Sequence, residues 1–65
     1  MSIKSRLFIK HLGYHGCHLH RHGSNHDIYR NAVTGKKSAV PRHSKLDRQL
    51  AKLICKQLEI PFIEE

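Results

Sequence analysis

The stretch GSNHDIY, residues 23–29, contains a histidine whose setting suits acid–base chemistry, His26. An imidazole side chain ordinarily titrates at about pH 6.5, so it can accept and return a proton at cellular pH. The chain holds seven histidines, and only the neighbours of each can distinguish one from another. Gly23, Ser24 and Asn25 favour a tight turn, which places His26 directly after that turn.

A histidine in basic surroundings suits the cleavage of RNA. RNA carries its own nucleophile, the ribose 2′-hydroxyl, so cleavage needs a general base, a general acid and cations near the phosphate. A neutral imidazole can serve as the general base, and no metal ion is required. Asparagine, histidine and aspartate are also ordinary turn residues. The stretch alone therefore fits both a catalytic histidine and a solvated turn.

The charge balance indicates a polyanionic partner. Twelve Lys and Arg face five Asp and Glu, which gives a formal charge of +7 with neutral histidines and a pI near 9.9. Three of the five acids, Glu59, Glu64 and Glu65, lie at the C-terminal end, so the rest of the chain is more basic still. Such a field attracts nucleic acid or an acidic protein surface and speeds encounter with it.

Other kinds of site have less support. Three histidines alternate along a predicted strand and would share one face, where they could bind a transition metal: His18, His20 and His22. Zinc sites usually take four ligands with cysteine among them, and alternation points Cys17 and Leu19 inward, away from that face. We therefore predict a polar strand face and no metal or other cofactor. Neither Cys17 nor Cys55 lies in a Cys–His motif, and the chain has no glycine-rich phosphate loop.

Hydrophobic periodicity predicts five elements in the order α-β-β-β-α. That order is typical of an α+β fold in which a three-stranded antiparallel sheet carries both helices on one face. The opposite face of the sheet would then be free to carry a site. The predicted elements are a helix over 2–16, strands over 17–22, 26–31 and 36–43, a hairpin turn within 32–37 that contains Gly35, and a helix that begins near Ser44 and stops before Pro61.

The helix ends follow from residue type. We expect Ser2 or Ser5 to cap the first helix and Gly16 to take the left-handed position after it. Ser44 with Asp47 resembles a capping box at the start of the second helix. The apolar stripe of that helix is predicted to contain Leu46, Leu50, Leu53, Ile54 and Leu58.

The length of 65 residues indicates one domain over residues 1–65 with a thin core, so any site would be a shallow surface groove. Two cysteines are fewer than the disulfide scaffolds of small secreted proteins usually carry. No apolar stretch approaches the ~18 residues needed to span a bilayer, and no signal-peptide pattern is visible. These features predict a reduced, cytoplasmic protein.

Several segments together resemble the HicA mRNA interferases, the small toxins of bacterial HicAB toxin–antitoxin systems. That family has a first helix ending in glycine, a small-residue turn before a histidine, a hairpin, a VPxH strand end and a last helix with a KQLGI-like end. No single segment is specific, but their order and spacing together are. The corresponding segments extend over about residues 5–61 and are Gly16, GSNHDIY, the turn TGKK, VPRH at 40–43 and ICKQLEIP at 54–61.

The resemblance implies a fold similar to the double-stranded RNA-binding domain. It also implies a metal-independent endoribonuclease activity on mRNA that inhibits translation and growth, and a HicB-like antitoxin that masks the active face. The family's catalytic histidine corresponds to His26, which follows the small-residue turn and precedes Tyr29. Two departures from the family pattern concern local stability: Gly13 weakens the first helix, and Glu59 stands where the family usually has glycine.

Seven residues are candidates for binding RNA or its phosphate groups. They are chosen from charge, strand position and proximity to the turn: Ser24, Asn25, Lys36, Lys37, Arg42, His43 and Lys45. Each cation among them also fits a solvated basic rim. An alternative function is a non-catalytic RNA-binding module of the same fold, which would bind RNA and leave it intact.

Overall fold

The structure, a computed structural model, describes residues 2–62; Glu64 and Glu65, counted in the charge balance, lie outside the described residues. Neither helix in this part of the chain has the length and apolar character that a membrane span requires. Seven elements follow one another: β1 (Ser2–Lys4), α1 (Ser5–Tyr14), β2 (Cys17–His22), β3 (His26–Asn31), β4 (Lys37–Pro41), β5 (Lys45–Asp47) and α2 (Arg48–Gln57).

Strands β2, β3 and β4 form the predicted antiparallel sheet, in that order. The inner face of the sheet contributes Cys17 and Val40 to the core. Both helices pack on that face with buried side chains, namely Phe8 and Leu12 from α1 and Ala51, Ile54 and Cys55 from α2. The α-β-β-β-α framework and the α+β class predicted from the sequence are therefore confirmed.

The sequence pattern does not predict the two short strands, β1 and β5. They pair antiparallel, with Ile3 opposite Leu46, and both side chains are buried. Strands of three residues are too short to show a period in sequence, and Leu46 fits a helical stripe equally well. This pair joins the start of α1 to the start of α2.

The start of α1 differs from the prediction. The helix begins at Ser5 after Lys4, which provides no side-chain cap, so the capping role expected of Ser2 or Ser5 is wrong. Instead, the Ser5 amide donates to the carbonyl of Ser44 at 3.0 Å, and the Ser5 hydroxyl donates to the carbonyl of His43. The first turn of α1 is thus held by the segment between β4 and β5.

The N-cap of α2 is Asp47 rather than Ser44. The Asp47 carboxylate accepts hydrogen bonds from the amides of Gln49 and Leu50 at 3.0 and 3.4 Å. Its negative charge is also favourable at a helix N-terminus. The capping box predicted from Ser44 is wrong because residues 45–47 form β5 before the helix begins.

The apolar stripe of α2 is narrower than predicted. Leu46 belongs to β5, and Leu53 is 50% exposed, so both placements are wrong. Ile54 and Leu58 are fully buried as predicted, and Leu50 is half-buried against the core. The core is therefore completed by β5 rather than by a wider face of the helix.

Two glycines take the left-handed conformation, as predicted. Gly16 follows α1 with φ 79°, and Gly35 lies in the β3–β4 turn with φ 80°. Glycine adopts such angles without a steric penalty. Glu59, just after α2, also has a positive φ of 58°, which is costly for a residue that carries a side chain.

Strand β2 carries a β-bulge that changes which residues share a face. The Cα partners are Leu19 with Tyr29 and then Arg21 with Ile28, so His20 is an extra residue in β2. Alternation resumes one residue out of step after such a bulge. Leu19 faces the inner side but is 44% exposed, so the burial expected of it is wrong.

The bulge also divides the predicted histidine row. His18 is opposite Arg30 on the outer side of the sheet, whereas His22 is opposite Asp27 on the inner side. A single face that contains His18, His20 and His22 is therefore wrong. The extra residue at His20 is the physical reason, because it shifts every later side chain of β2 to the other face.

A buried asparagine joins the sheet to α2. Asn31, the last residue of β3, is 3% exposed. Its Nδ2 donates to the carbonyl of Leu58 at 2.7 Å, and its Oδ1 accepts from the amides of Val33 and Thr34 at 2.8 and 3.2 Å. The Asn31 side chain thus provides hydrogen-bond partners for backbone groups at the end of α2 and in the β3–β4 turn.

We expect Glu59→Gly to stabilise the protein by about 1 kcal/mol, because glycine removes the cost of the left-handed conformation. For a domain of this size, that change raises Tm by about 4–8 °C in thermal unfolding. Glu59→Gln is the control, since it removes the charge and keeps the strained backbone. An equal rise in Tm for both variants would assign the cost to the charge and contradict the backbone explanation.

Candidate active site

His26 is the first residue of β3 and directly follows the turn at residues 23–25. Its side chain is exposed, and its Cα partner on β4 is Pro41. Alternation along β3 puts His26 on the same face as Ile28 and Arg30, which is the face that the helices leave open. The imidazole is thus accessible at one corner of an open sheet face.

The turn before His26 is closed by a backbone hydrogen bond. The Gly23 amide donates to the His26 carbonyl at 2.7 Å. A Cβ atom on residue 23 would lie 2.5 Å from that carbonyl oxygen, which is too close for any side chain. The close approach of two backbone segments is therefore the reason for glycine here. Ser24 and Asn25 form the exposed tip of the turn.

The carboxylate that follows His26 fastens the same turn to β4. Asp27 Oδ1 lies 2.9 Å from Nε and 2.8 Å from Nη2 of Arg42. Arg42 Nη2 also donates to the carbonyl of Gly23 at 2.7 Å. On the other side, Nδ1 of His22 lies 2.9 Å from the same carboxylate oxygen. We call the side chains of Asp27, Arg42 and His22 the Asp27 clamp.

The clamp holds the backbone on both sides of His26. The Arg42 guanidinium contacts Gly23, at the start of the turn, and Asp27, the residue after His26. The Arg42 side chain is 44% exposed, and solvent screens ion pairs at such positions, so they add little to folding stability. The contribution of the clamp is therefore mainly geometric: it fixes the direction in which the His26 side chain projects.

The clamp lowers the pKa of the Asp27 carboxyl. The hydrogen bond from Arg42 is the largest cause, and the hydrogen bond from His22 is the second. Burial chiefly, and the charge of Asp27 to a lesser degree, raise the pKa of the Tyr29 hydroxyl. The Tyr29 ring packs against the core, which gives it a structural role.

Three of the predicted RNA-binding residues lie at the same end of the sheet as His26. Ser24 and Asn25 are exposed at the turn, and His43 follows the end of β4, which pairs with His26. The Gly23 amide is engaged in the backbone hydrogen bond. Ser24 and Asn25 therefore supply the turn amides that could face a phosphate.

The other candidates are placed differently. Lys36 and Lys37 lie at the opposite end of the β3–β4 hairpin, about 13 Å from His26 along the strand at ~3.3 Å per residue. Lys45 lies in β5, in the separate two-stranded sheet. Arg42 is close to His26, but its guanidinium is engaged in the clamp.

Reasoning from the sequence does not find Asp27 and His22 as partners of Arg42. The pairing register indicates the contact between Asp27 and Arg42. Because Asp27 lies opposite Val40, Arg42 is its diagonal neighbour on the same face. For His22 there is no such signal, because the bulge that brings it to Asp27 is not visible in the sequence.

Within residues 2–62, no three His, Cys, Asp or Glu side chains are grouped so that they could hold a metal ion. Cys17 is buried, and burial raises the pKa of its thiol, which makes it a poor nucleophile. The groups that this corner of the sheet offers are an exposed imidazole, the turn amides and the Arg42 guanidinium, which is engaged in the clamp.

A comparison with known protein families identifies the family of this chain. A family described as HicA toxin of bacterial toxin–antitoxin matches residues 5–60. The chain belongs to the HicA toxin family. Comparisons with curated proteins and with solved structures gave no match. Membership confirms the resemblance seen in the sequence, supports a toxin role and implies a toxin–antitoxin partner.

We expect Gly23→Ala to destabilise this HicA family toxin by at least about 1 kcal/mol, since the turn must open and lose its hydrogen bond. Gly13→Ala is a matched control, because an added Cβ there meets nothing within 4 Å. Removing that glycine from a helix should stabilise the protein by about 0.5–1 kcal/mol. Urea unfolding measures both, and shifts of the same sign would contradict the close-approach explanation.

The lowered pKa of Asp27 predicts a loss of stability in acid. Folding favours the ionised carboxylate, so its contribution is present above the ordinary value of 3.8 and is lost as the pH falls through the lower folded pKa. Over that acidic range, the wild-type protein should lose more stability than Asp27→Asn in urea unfolding. A parallel decline in the two proteins would show that the clamp contributes nothing to acid sensitivity.

Proposed function

We propose that the protein is an endoribonuclease that cleaves mRNA and so inhibits translation and growth, with His26 as its general base. The observation that carries this proposal is an exposed imidazole on a backbone held from both sides. The Gly23 amide donates a hydrogen bond to the His26 carbonyl, and the Asp27 clamp fastens the turn to β4. Membership of the HicA toxin family supports the same conclusion.

The proposed reaction uses the nucleophile that RNA supplies. Neutral His26 removes the proton from a ribose 2′-hydroxyl, and the oxygen attacks the adjacent phosphorus. The bond from phosphorus to the 5′-oxygen of the next nucleotide breaks, and that oxygen takes a proton from a second group or from water. The products are a 2′,3′-cyclic phosphate or, after hydrolysis, a 3′-phosphate, together with a 5′-hydroxyl. No metal ion is needed for these steps.

The turn provides positioning for this chemistry. Placement of a reacting group matters greatly, since an error of about 1 Å can cost about 10²-fold in rate. Backbone amides of Ser24 and Asn25 are suited to hold the scissile phosphate, because consecutive amides in a turn form anion-binding concavities. His43, at the same end of the sheet, is a candidate for a phosphate contact or for the second proton transfer.

The partner of this toxin follows from the same proposal. We infer that its antitoxin is HicB-like and masks the open sheet face that carries His26, which keeps mRNA away from the imidazole. The toxin acts where mRNA is, in the bacterial cytoplasm, as a single domain over residues 1–65. A basic toxin surface also favours rapid capture by an acidic antitoxin surface.

The direct test is His26→Ala, produced without the antitoxin. Loss of a general base should lower the rate of mRNA cleavage by about 10²–10⁴-fold and abolish growth arrest. His20→Ala is the matched control, an exposed histidine in the bulge of the preceding strand, and should retain both effects. Thermal unfolding verifies that both variants fold.

The outcomes distinguish an endoribonuclease from a non-catalytic RNA-binding module of the same fold. Wild-type cleavage by His26→Ala would show that another group is the base. An intact substrate after incubation with the wild-type protein would favour a non-catalytic RNA-binding module. Product ends test the reaction itself, because attack by the 2′-hydroxyl forms a 2′,3′-cyclic phosphate together with a 5′-hydroxyl on the downstream fragment, whereas direct attack by water forms no cyclic phosphate.

A further inference from the structure

The outer face of the three-stranded sheet, which carries His26, is lined with basic residues. Cα pairing places Arg30 of β3 between His18 of β2 and Lys37 of β4. Arg21 lies farther along β2 on the same face, and the side chains of all these basic residues are exposed. We call Arg21, Arg30 and Lys37 the outer-face cations.

No acid balances these charges. The one carboxylate in β2, β3 and β4 is Asp27, which faces the inner side and is held by Arg42 and His22. Among residues 2–62, no ion pair involves the outer-face cations. Like charges directly opposite each other on neighbouring strands destabilise a sheet, so folding gives no reason to pair Arg30 with Lys37.

In the middle of the same face, β3 and β4 contribute uncharged side chains, and Arg21 of β2 flanks them opposite Ile28. Ile28 and Ala39 are Cα partners and lie between His26 and the Arg30–Lys37 pair. Ile28 is half-buried, and Ala39 is exposed. The face therefore presents a shallow apolar strip with a histidine at one end and unpaired cations around the rest.

We propose that a single strand of RNA lies along this outer face, with its phosphates bound by Arg21, Arg30 and Lys37. The proposal rests on the proposed function, since this strand is the substrate that His26 cleaves. An acidic protein surface would match the charge as well. The position of His26 on the same continuous face favours RNA over an acidic protein, because an RNA strand bound along this face runs next to the His26 imidazole that cleaves it.

The dimensions assign Arg30 and Lys37 to a separate part of the substrate. Arg30 lies four residues from His26 along β3, about 13 Å at ~3.3 Å per residue. That span corresponds to about four nucleotides of a stacked strand at ~3.4 Å each. Arg30 and Lys37 therefore bind nucleotides beyond the cleavage point and do not contact the scissile phosphate, whereas Arg21, opposite Ile28, lies closer to His26.

The test measures the affinity of the wild-type chain for a short 2′-O-methyl RNA of mixed sequence over a range of salt concentrations. Blocking the 2′-oxygen prevents the proposed cleavage, so binding is observed alone. The logarithm of the binding constant falls with that of salt concentration by about 0.7 per neutralised phosphate in a single strand. Arg30→Gln with Lys37→Gln should therefore reduce the slope by about 1.4.

The matched control is Lys52→Gln with Lys56→Gln, which removes the same charge from exposed positions of α2 on the other side of the sheet. It should leave the slope unchanged. Equal reductions in the two double variants would mean that only net charge matters, and the proposal would be wrong. An unchanged slope in both would overturn it too. Weaker antitoxin binding with unchanged RNA binding would assign the face to a protein partner instead.

These outcomes are independent of the cleavage mechanism. If His26→Ala still cleaves RNA, the general-base assignment fails, while the salt slopes still decide whether RNA occupies the outer face. If the wild-type protein cuts the 2′-O-methyl RNA, the nucleophile is not the 2′-hydroxyl. In that case, the binding comparison is repeated on the uncut fraction at short times.

Discussion

The side-chain amide of Asn31 is the contact on which the placement of the sheet against α2 depends. A chain of 65 residues has a thin core, and apolar contacts are not directional. The hydrogen bonds of Asn31 are directional and buried, so they fix the distance between the end of β3 and the end of α2. Ser38 adds a second polar link, from its hydroxyl to Oε1 of Gln57 at 2.6 Å. Both links lie on the inner face, which leaves the outer face free.

The site occupies the other end of the same strand and depends on contacts of another kind. The Asp27 clamp lies at the surface, where ion pairs contribute little to folding free energy. Its effect is local, because Arg42 contacts the backbone and the carboxylate that bracket His26. The inner-face links thus decide that the sheet has one open face, and the clamp decides how a single imidazole is presented there.

The sequence predicts those parts of the molecule that have local signals. Alternation gives β2 and β3 their observed ranges, and small-residue turns give Gly16 and Gly35 their left-handed conformations. The three-residue strands β1 and β5 and the partners of Arg42 depend on register between distant segments, which residue types alone do not encode. The position of His26 at the start of a strand follows from local pattern, whereas the clamp that orients it does not.

The bulge at His20 has a consequence for how the chain can change in length over evolution. Deleting His20 would remove the bulge and leave the strand in regular pairing, with His22 still opposite Asp27. Adding or removing a residue in the turn at residues 23–25 would instead disturb the hydrogen bond from the Gly23 amide to the His26 carbonyl. An insertion at the tip of the β3–β4 hairpin, around the exposed Val33, would leave every pairing next to the turn at residues 23–25 in place. Length variation is therefore compatible with this structure in the bulge and at the tip of the β3–β4 hairpin, and it is opposed in the turn that precedes His26.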